Sequence, residues 1–136
     1  MLKLAFYGDD FTGSTDALEV LAFAGLDCAL FLDVPDAQTL RELGPFDAIG
    51  VAGASRAMSP AEMDAQLAPV LAAMSRLPVA LVHYKVCSTF DSSPAIGSIG
   101  RVMDLSPQTL ADLGLNTDDT AVIAFALPGT PLGIVR

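Results

Sequence analysis

Three stretches of this 136-residue chain gather residues whose types and spacing could do chemistry. The first, Gly8-Asp9-Asp10-Phe11-Thr12-Gly13-Ser14-Thr15-Asp16, sets a pair of carboxylates between an apolar run and a candidate helix start. Adjacent carboxylates in a cleft can accept hydrogen bonds from several hydroxyls, raise one another's pKa or hold Mg²⁺. Asp9 and Asp10 are equally ordinary turn formers, and Asp16 taken alone reads as a surface residue favoured by the helix dipole. The second stretch, Gly53-Ala54-Ser55-Arg56, leads small residues up to a guanidinium, the natural fork for a carboxylate or phosphate. A surface arginine paired with one of the chain's 16 acids would have the same appearance. The third stretch runs from Tyr84-Lys85-Val86-Cys87-Ser88-Thr89 through Asp91 to Pro94, and is followed by Gly97-Ser98-Ile99-Gly100-Arg101.

That last segment could be a solvated connection, since Ser, Asp, Gly and Pro are common turn residues. Lys85 argues otherwise, because it ends an apolar run that would not bury an ammonium without a use for it. His83, the single histidine, reads as a packing residue. Two or three carboxylates, an arginine, a lysine and several hydroxyls suit a small ligand that is both anionic and hydroxylated. They do not suit a dinucleotide: the first strand leads into Gly-Asp-Asp instead of G-x-G-x-x-G, and no G-x-x-x-x-G-K-[ST] phosphate loop occurs.

Alternating strands and helices must hold these stretches. The apolar run Leu2–Tyr7 predicts a strand, and Ala17, Leu18, Leu21, Ala24 and Gly25 form one stripe of a helix over Thr12–Ala24, with Thr12 as its cap and Gly25 as its stop. Further strands are predicted over Cys28–Leu32, Ala48–Ala52 and Val79–Val86, with a short helix over Pro35–Leu43. Ser59-Pro60-Ala61-Glu62 combines an N-cap serine, a proline at N1 and a glutamate at N3, so a long helix should run from Pro60 to about Arg76. Two short helical patterns, Ile99–Leu105 and Pro107–Leu113, precede a last apolar run, Ala121–Leu127. The expected fold is a single α/β domain, a doubly wound, mostly parallel sheet with helices on both faces. Such sheets bind ligands outside the carboxyl ends of their strands, where all three stretches fall.

Composition narrows the partners. A net charge of −9 leaves little basic surface for phosphates, which argues against nucleic acid. Although 52% of the residues are hydrophobic, they come in runs of about five to eight, below the roughly 18 to 20 needed for a membrane span. The opening Met1–Asp10 lacks the form of a signal peptide, so a cytoplasmic location is expected. Cys28 and Cys87 have no C-x-x-C spacing and no histidine cluster beside them; they read as reduced thiols, and no metal site is expected.

In order and spacing, the Asp9-Asp10 stretch, Ser55-Arg56-Ala57-Met58-Ser59-Pro60, Tyr84–Pro94 and Ile96–Arg101 resemble the N-terminal domain of the four-carbon acid sugar kinases, over about residues 1–101. The resemblance implies ATP-dependent phosphorylation of the terminal hydroxyl of a threonate, an erythronate or a 3-oxo-tetronate. It makes residues 1–136 the substrate-binding domain, with ATP and Mg²⁺ bound mainly by a C-terminal nucleotide-binding domain absent from this chain. Asp9 and Asp10 would hold substrate hydroxyls, one of them taking the proton of the attacking hydroxyl, and Arg56 would clamp the carboxylate. Lys85, Ser88 and Asp91 would line the same pocket, with Asp16 and Ser55 counted in the substrate-binding set. Such a fragment should bind without catalysing. The alternative is a stand-alone, non-catalytic sugar-acid-binding module; self-association is left open. A receiver domain lacks its acceptor aspartate here, since the third strand leads into Gly53-Ala54-Ser55-Arg56, and Asp9-Asp10-Phe11-Thr12 misses the D-x-D spacing of aspartate-nucleophile phosphatases.

Overall fold

The structure, a computed structural model, describes residues 2–79, 81–87, 89, 91–112, 123–125 and 133–135, with side chains as far as residue 105. Strands β1 (Leu4–Gly8), β2 (Cys28–Phe31), β3 (Ala48–Ala52) and β4 (Leu81–Lys85) form one parallel sheet in the order β2-β3-β1-β4. Alternation along β1 and β3 sends Ala5, Tyr7, Ile49 and Val51 to one face and Phe6, Gly8 and Gly50 to the other. On the first face they pack with Met63, Leu67, Leu71, Met74 and Val102 in the main core. Those five come from the turn Met63–Leu67, which follows α3 (Pro60–Glu62), from α4 (Ala68–Met74) and from α5 (Ile99–Asp112). On the second face lies α1 (Phe11–Phe23), where Ser14 Oγ is so close to Gly8 that a Cβ there would stand 1.9 Å from it.

Helices therefore cover both faces, as the alternating pattern implies. Asp10, and not Thr12, caps α1: its carboxylate accepts from the Gly13 N–H, which starts the helix one residue earlier than the apolar stripe suggests. The stop is as read. Gly25 takes φ +82, and the pairs Leu26 N–H to Leu21 C=O and Gly25 N–H to Ala22 C=O close a Schellman motif. Ala17, Leu18 and Leu21 are half-buried, whereas Val20 and Phe23 are exposed on the outer side of α1.

Asp36 caps the short α2 (Ala37–Leu43). Ser59 and Glu62 form the expected capping box. The long helix that follows is not uniform, because Pro69 has no N–H for the next helical bond and its ring crowds the preceding turn. The chain widens to a π turn over Met63–Leu67, closed by Ala68 N–H to Met63 C=O, and α4 ends at Met74. The two patterns read over Ile99–Leu105 and Pro107–Leu113 are one helix, α5. Of the last apolar run, the described residues are β5 (Ile123–Phe125), which pairs antiparallel with β6 (Gly133–Val135) in a second, two-stranded sheet.

The two central strands set up the site. After β1 the chain turns to α1 on one face, and after β3 it turns to α3 and α4 on the other. Their ends diverge and leave a crevice at the switch point. Close packing beneath the crevice needs Gly50, where a Cβ would stand 2.1 Å from the Phe6 ring. Gly50→Ala is expected to cost about 1–3 kcal/mol in chemical denaturation, because the ring must leave its place in a filled face.

Candidate functional site

Gly8, Ala52 and Lys85 end their strands side by side in register, so the loops that follow begin at one level. Main-chain hydrogen bonds then join them: Asp9 N–H to Lys85 C=O at 3.0 Å, Gly53 N–H to Gly8 C=O at 2.9 Å and Arg56 N–H to Asp9 C=O at 3.0 Å. The 3₁₀ turn Ser55–Ala57 that carries Arg56 is held from below. Ser55 is fully buried and its hydroxyl lies 2.6 Å from that of Tyr84, whose ring stacks on Tyr7 with centroids 5.6 Å apart. Burial, offset in part by the bond to Ser55, pushes the Tyr84 phenol well above its ordinary range. Gly53 has to be small because a Cβ there would meet the Tyr7 ring and hydroxyl at 2.0 Å. A fourth segment docks through Gly97, which has φ +62, donates its N–H to Met58 C=O at 2.8 Å and lies against the Arg56 carbonyl.

The two adjacent aspartates occupy different environments. Asp10 is fully engaged: one carboxylate oxygen accepts from Gly13 N–H at 2.7 Å and the other lies 3.2 Å from Arg56 Nη1. Partial burial pushes its carboxyl up, but bonds from the Cys87 thiol and Gly13 and the charges of Lys85 and Arg56 outweigh that and hold it below the ordinary range. Asp9 is 3% exposed, and its Oδ1 has no hydrogen-bond partner. Burial and then the neighbouring Asp10 charge push its carboxyl up, against the smaller pull of the Cys87 N–H and the charges of Lys85 and Arg56.

The two cations differ as well. The Arg56 guanidinium reaches Asp10 with one nitrogen and Asp91 with the other, at 2.5 Å, while Nη1 also lies 3.3 Å from Cys87 Sγ. Thr89 donates to Asp91 at 3.0 Å, and that bond, with Arg56, holds the Asp91 carboxyl low. Lys85 is 8% exposed, and its ammonium lies over Gly13, where a Cβ would stand 2.3 Å from Nζ. Among the described residues Lys85 Nζ has no hydrogen bond, and no carboxylate comes within ion-pair distance of it. Buried charges and orphaned polar atoms of this kind cost folding free energy, and they gather where a ligand supplies the missing partner.

Residues 4–131 match the model of a family described as the sugar-binding N-terminal domain. The chain belongs to that family. This sugar-binding N-terminal domain is 50% identical over 104 residues to a 3-oxo-isoapionate kinase of Paraburkholderia graminis, covering 76% of the chain and 22% of the relative. It is 35% identical over 130 residues to a 3-oxo-tetronate kinase of Methylobacterium radiotolerans, covering 96% and 28%. The chain thus spans about a quarter of the length of these curated relatives. A crystal structure from Salmonella typhimurium LT2 superposes with TM-score 0.68 at 32% identity, over 82% of this chain and 26% of that one. A Bordetella bronchiseptica domain, crystallised with citrate as a domain-swapped dimer, shares the fold with TM-score 0.62 at 20% identity, over 78% and 25%.

Of the residues picked out in the sequence, Asp9, Asp10, Arg56, Lys85 and Asp91 converge at the crevice of this sugar-binding domain. Ser55 lies beneath it, with its hydroxyl directed to Tyr84. Asp16 is exposed six residues past the cap, with no bond to the others. Ser88 lies outside the described residues. His83 is half-buried within β4. Gly13, Tyr84 and Cys87 were not singled out: Tyr84 precedes Lys85 in an apolar strand, and its partnership with Ser55 crosses between strands. Both cysteines are free thiols, and no three His, Cys, Asp or Glu among the described residues group as metal ligands.

Asp9 has a signed pH consequence. Its folded-state pKa lies above the unfolded value, so its ionised form costs stability at neutral pH, and the cost vanishes as pH falls through the folded pKa. Asp9→Asn should therefore unfold no earlier than the parent at pH 7 in a denaturant titration, and any gain should shrink on acidification. A loss above about 1 kcal/mol would mean that Asp9 makes a stabilising bond.

Proposed function

We propose that this domain is the sugar-acid-binding part of an ATP-dependent kinase that phosphorylates the terminal hydroxyl of a four-carbon acid of the threonate, erythronate or 3-oxo-tetronate class. The observation that carries the reading is the buried Asp9, with a carboxylate oxygen lacking a partner, at the switch point of a sugar-binding domain. A hydroxyl is the donor that this oxygen lacks, and a carboxylate is the ligand group suited to two cations at the same mouth. The names of the relatives support the kinase reading and the acid class.

Asp9 and Asp10 receive substrate hydroxyls, with Arg56, Lys85, Ser88 and Asp91 around them. Of the two carboxylates Asp9 is the better base, because its raised pKa brings it nearer to working pH. Phosphoryl transfer rests mainly on positioning and charge stabilisation, and this chain supplies the positioning of the acceptor. ATP and Mg²⁺ are assigned to parts of the protein beyond these residues, and the cytoplasm is the assigned location. Among the described residues no helix is long and apolar enough to cross a membrane.

Calorimetric titration tests the reading with threonate, erythronate, their uncharged tetritols and ATP·Mg²⁺. The expected result is binding of an acid at least about tenfold tighter than of its tetritol, a difference of about 1.4 kcal/mol, with no binding of ATP·Mg²⁺. Binding of ATP, or of no acid, would overturn the assignment.

A further inference from the structure

The Arg56 guanidinium makes two ion pairs of different character. Its Nη1 side is fixed: Asp10, whose side chain is 20% exposed, also caps α1 through the Gly13 N–H, and Cys87 Sγ lies 3.3 Å from the same nitrogen. Its Nη2 side is open to water. Asp91, whose side chain is 63% exposed, accepts there at 2.5 Å through Oδ2, and its bond from Thr89 Oγ1 at 3.0 Å goes to that same oxygen.

Asp91 thus shows that Arg56 Nη2 and Thr89 Oγ1 converge on one carboxylate oxygen. Both donors have other anchors: Asp10 and Cys87 hold the guanidinium, and Thr89 Oγ1 lies 3.4 Å from Cys87 Sγ. An exposed aspartate leaves such a seat by rotation about its Cα–Cβ bond, with no movement of the backbone. An ion pair in water resists that rotation only weakly. Exchange of one carboxylate for another also leaves the charge around Arg56 unchanged, so an incoming acid meets no added repulsion once Asp91 has turned away.

Resting on the sugar-acid reading above, we infer that Asp91 is an internal stand-in for the substrate. In the empty domain its carboxylate fills the seat formed by Arg56 Nη2 and Thr89 Oγ1, and the carboxylate of the sugar acid displaces it. Thr89 is then a binding residue. Asp91 contributes no contact to the bound acid and instead sets how strongly an acid must bind to enter. Thr89 and Arg56 hold its carboxyl low, which keeps the competitor ionised at neutral pH. An uncharged polyol has no group that competes for the seat, so its binding is indifferent to Asp91.

Threonate and its uncharged tetritol are to be compared by calorimetry, and by competition where binding is weak, on the whole chain and its variants. In Asp91→Ala the acid should bind about two- to fivefold tighter, the worth of an exposed pair that no longer has to break, with the tetritol unchanged. Glu19→Gln removes one negative charge at an exposed position of α1 and should leave both ligands as in the parent, which separates competition from net charge. In the Asp91→Ala background, Thr89→Val should cost the acid at least about threefold and the tetritol little. Should Asp91→Ala fail to fold by circular dichroism, Asp91→Asn carries the same expectation. Weaker acid binding in the Asp91 variant would make Asp91 a substrate contact, and equal changes in both ligands would make it a structural brace. Unchanged acid binding, a gain matched by Glu19→Gln, or a Thr89→Val without effect would equally remove the seat. Each of these overturns the inference and leaves the sugar-acid reading standing. A parent that binds no sugar acid removes that reading and this inference with it.

Discussion

The site depends on one main-chain junction, the end of β1. Gly8 and Asp9 give their carbonyls to the N–H groups of Gly53 and Arg56, and Asp9 gives its own N–H to the carbonyl of Lys85. Three loops from three strands thus meet at two consecutive residues. The bonds are backbone to backbone, so they fix where each loop starts whatever side chains follow, and the side chains need to vary only in what they offer the crevice. Asp9 can spend its carboxylate on something other than folding because its peptide groups already do the structural work.

Charge is distributed unevenly over this frame. Asp10, Arg56 and Asp91 satisfy one another, and Asp10 also caps α1. They are the stable part of the site, and their carboxylates are held in the ionised form. Among the described residues, Asp9 Oδ1 and the Lys85 ammonium are buried without hydrogen-bond partners, and burying them so costs folding free energy. Groups left in this condition are characteristic of sites where a ligand supplies the missing partner.

Much of this was legible in the chain. The strands and the loops after them could be placed because apolar runs end in Gly or charge at β1, β3 and β4, and the capping box at Ser59 marks a helix start in four residues. Local pattern could not show which of two neighbouring carboxylates was engaged. Asp10 caps α1 and meets Arg56 across 46 positions, and only the folded sheet brings the guanidinium there. Thr12 looked like the cap because a threonine before an apolar stripe resembles one, yet the backbone turns two residues earlier. Pro69 hid inside a good helical pattern, since a π turn absorbs it. Ser55 looked like a pocket hydroxyl because the strand pairing that turns it toward Tyr84 has no local signature.

The stacked tyrosines beneath Ser55 also give the molecule a built-in optical signal. The chain has two tyrosines and no tryptophan, and both tyrosines belong to that stack. Its near-ultraviolet absorbance and intrinsic emission above the phenylalanine band therefore arise from one place, the floor of the crevice. A ligand that shifts Ser55 or the turn above it changes the surroundings of every tyrosine in the domain at once. Occupancy of the site can be followed in the unlabelled protein, without a background from distant chromophores.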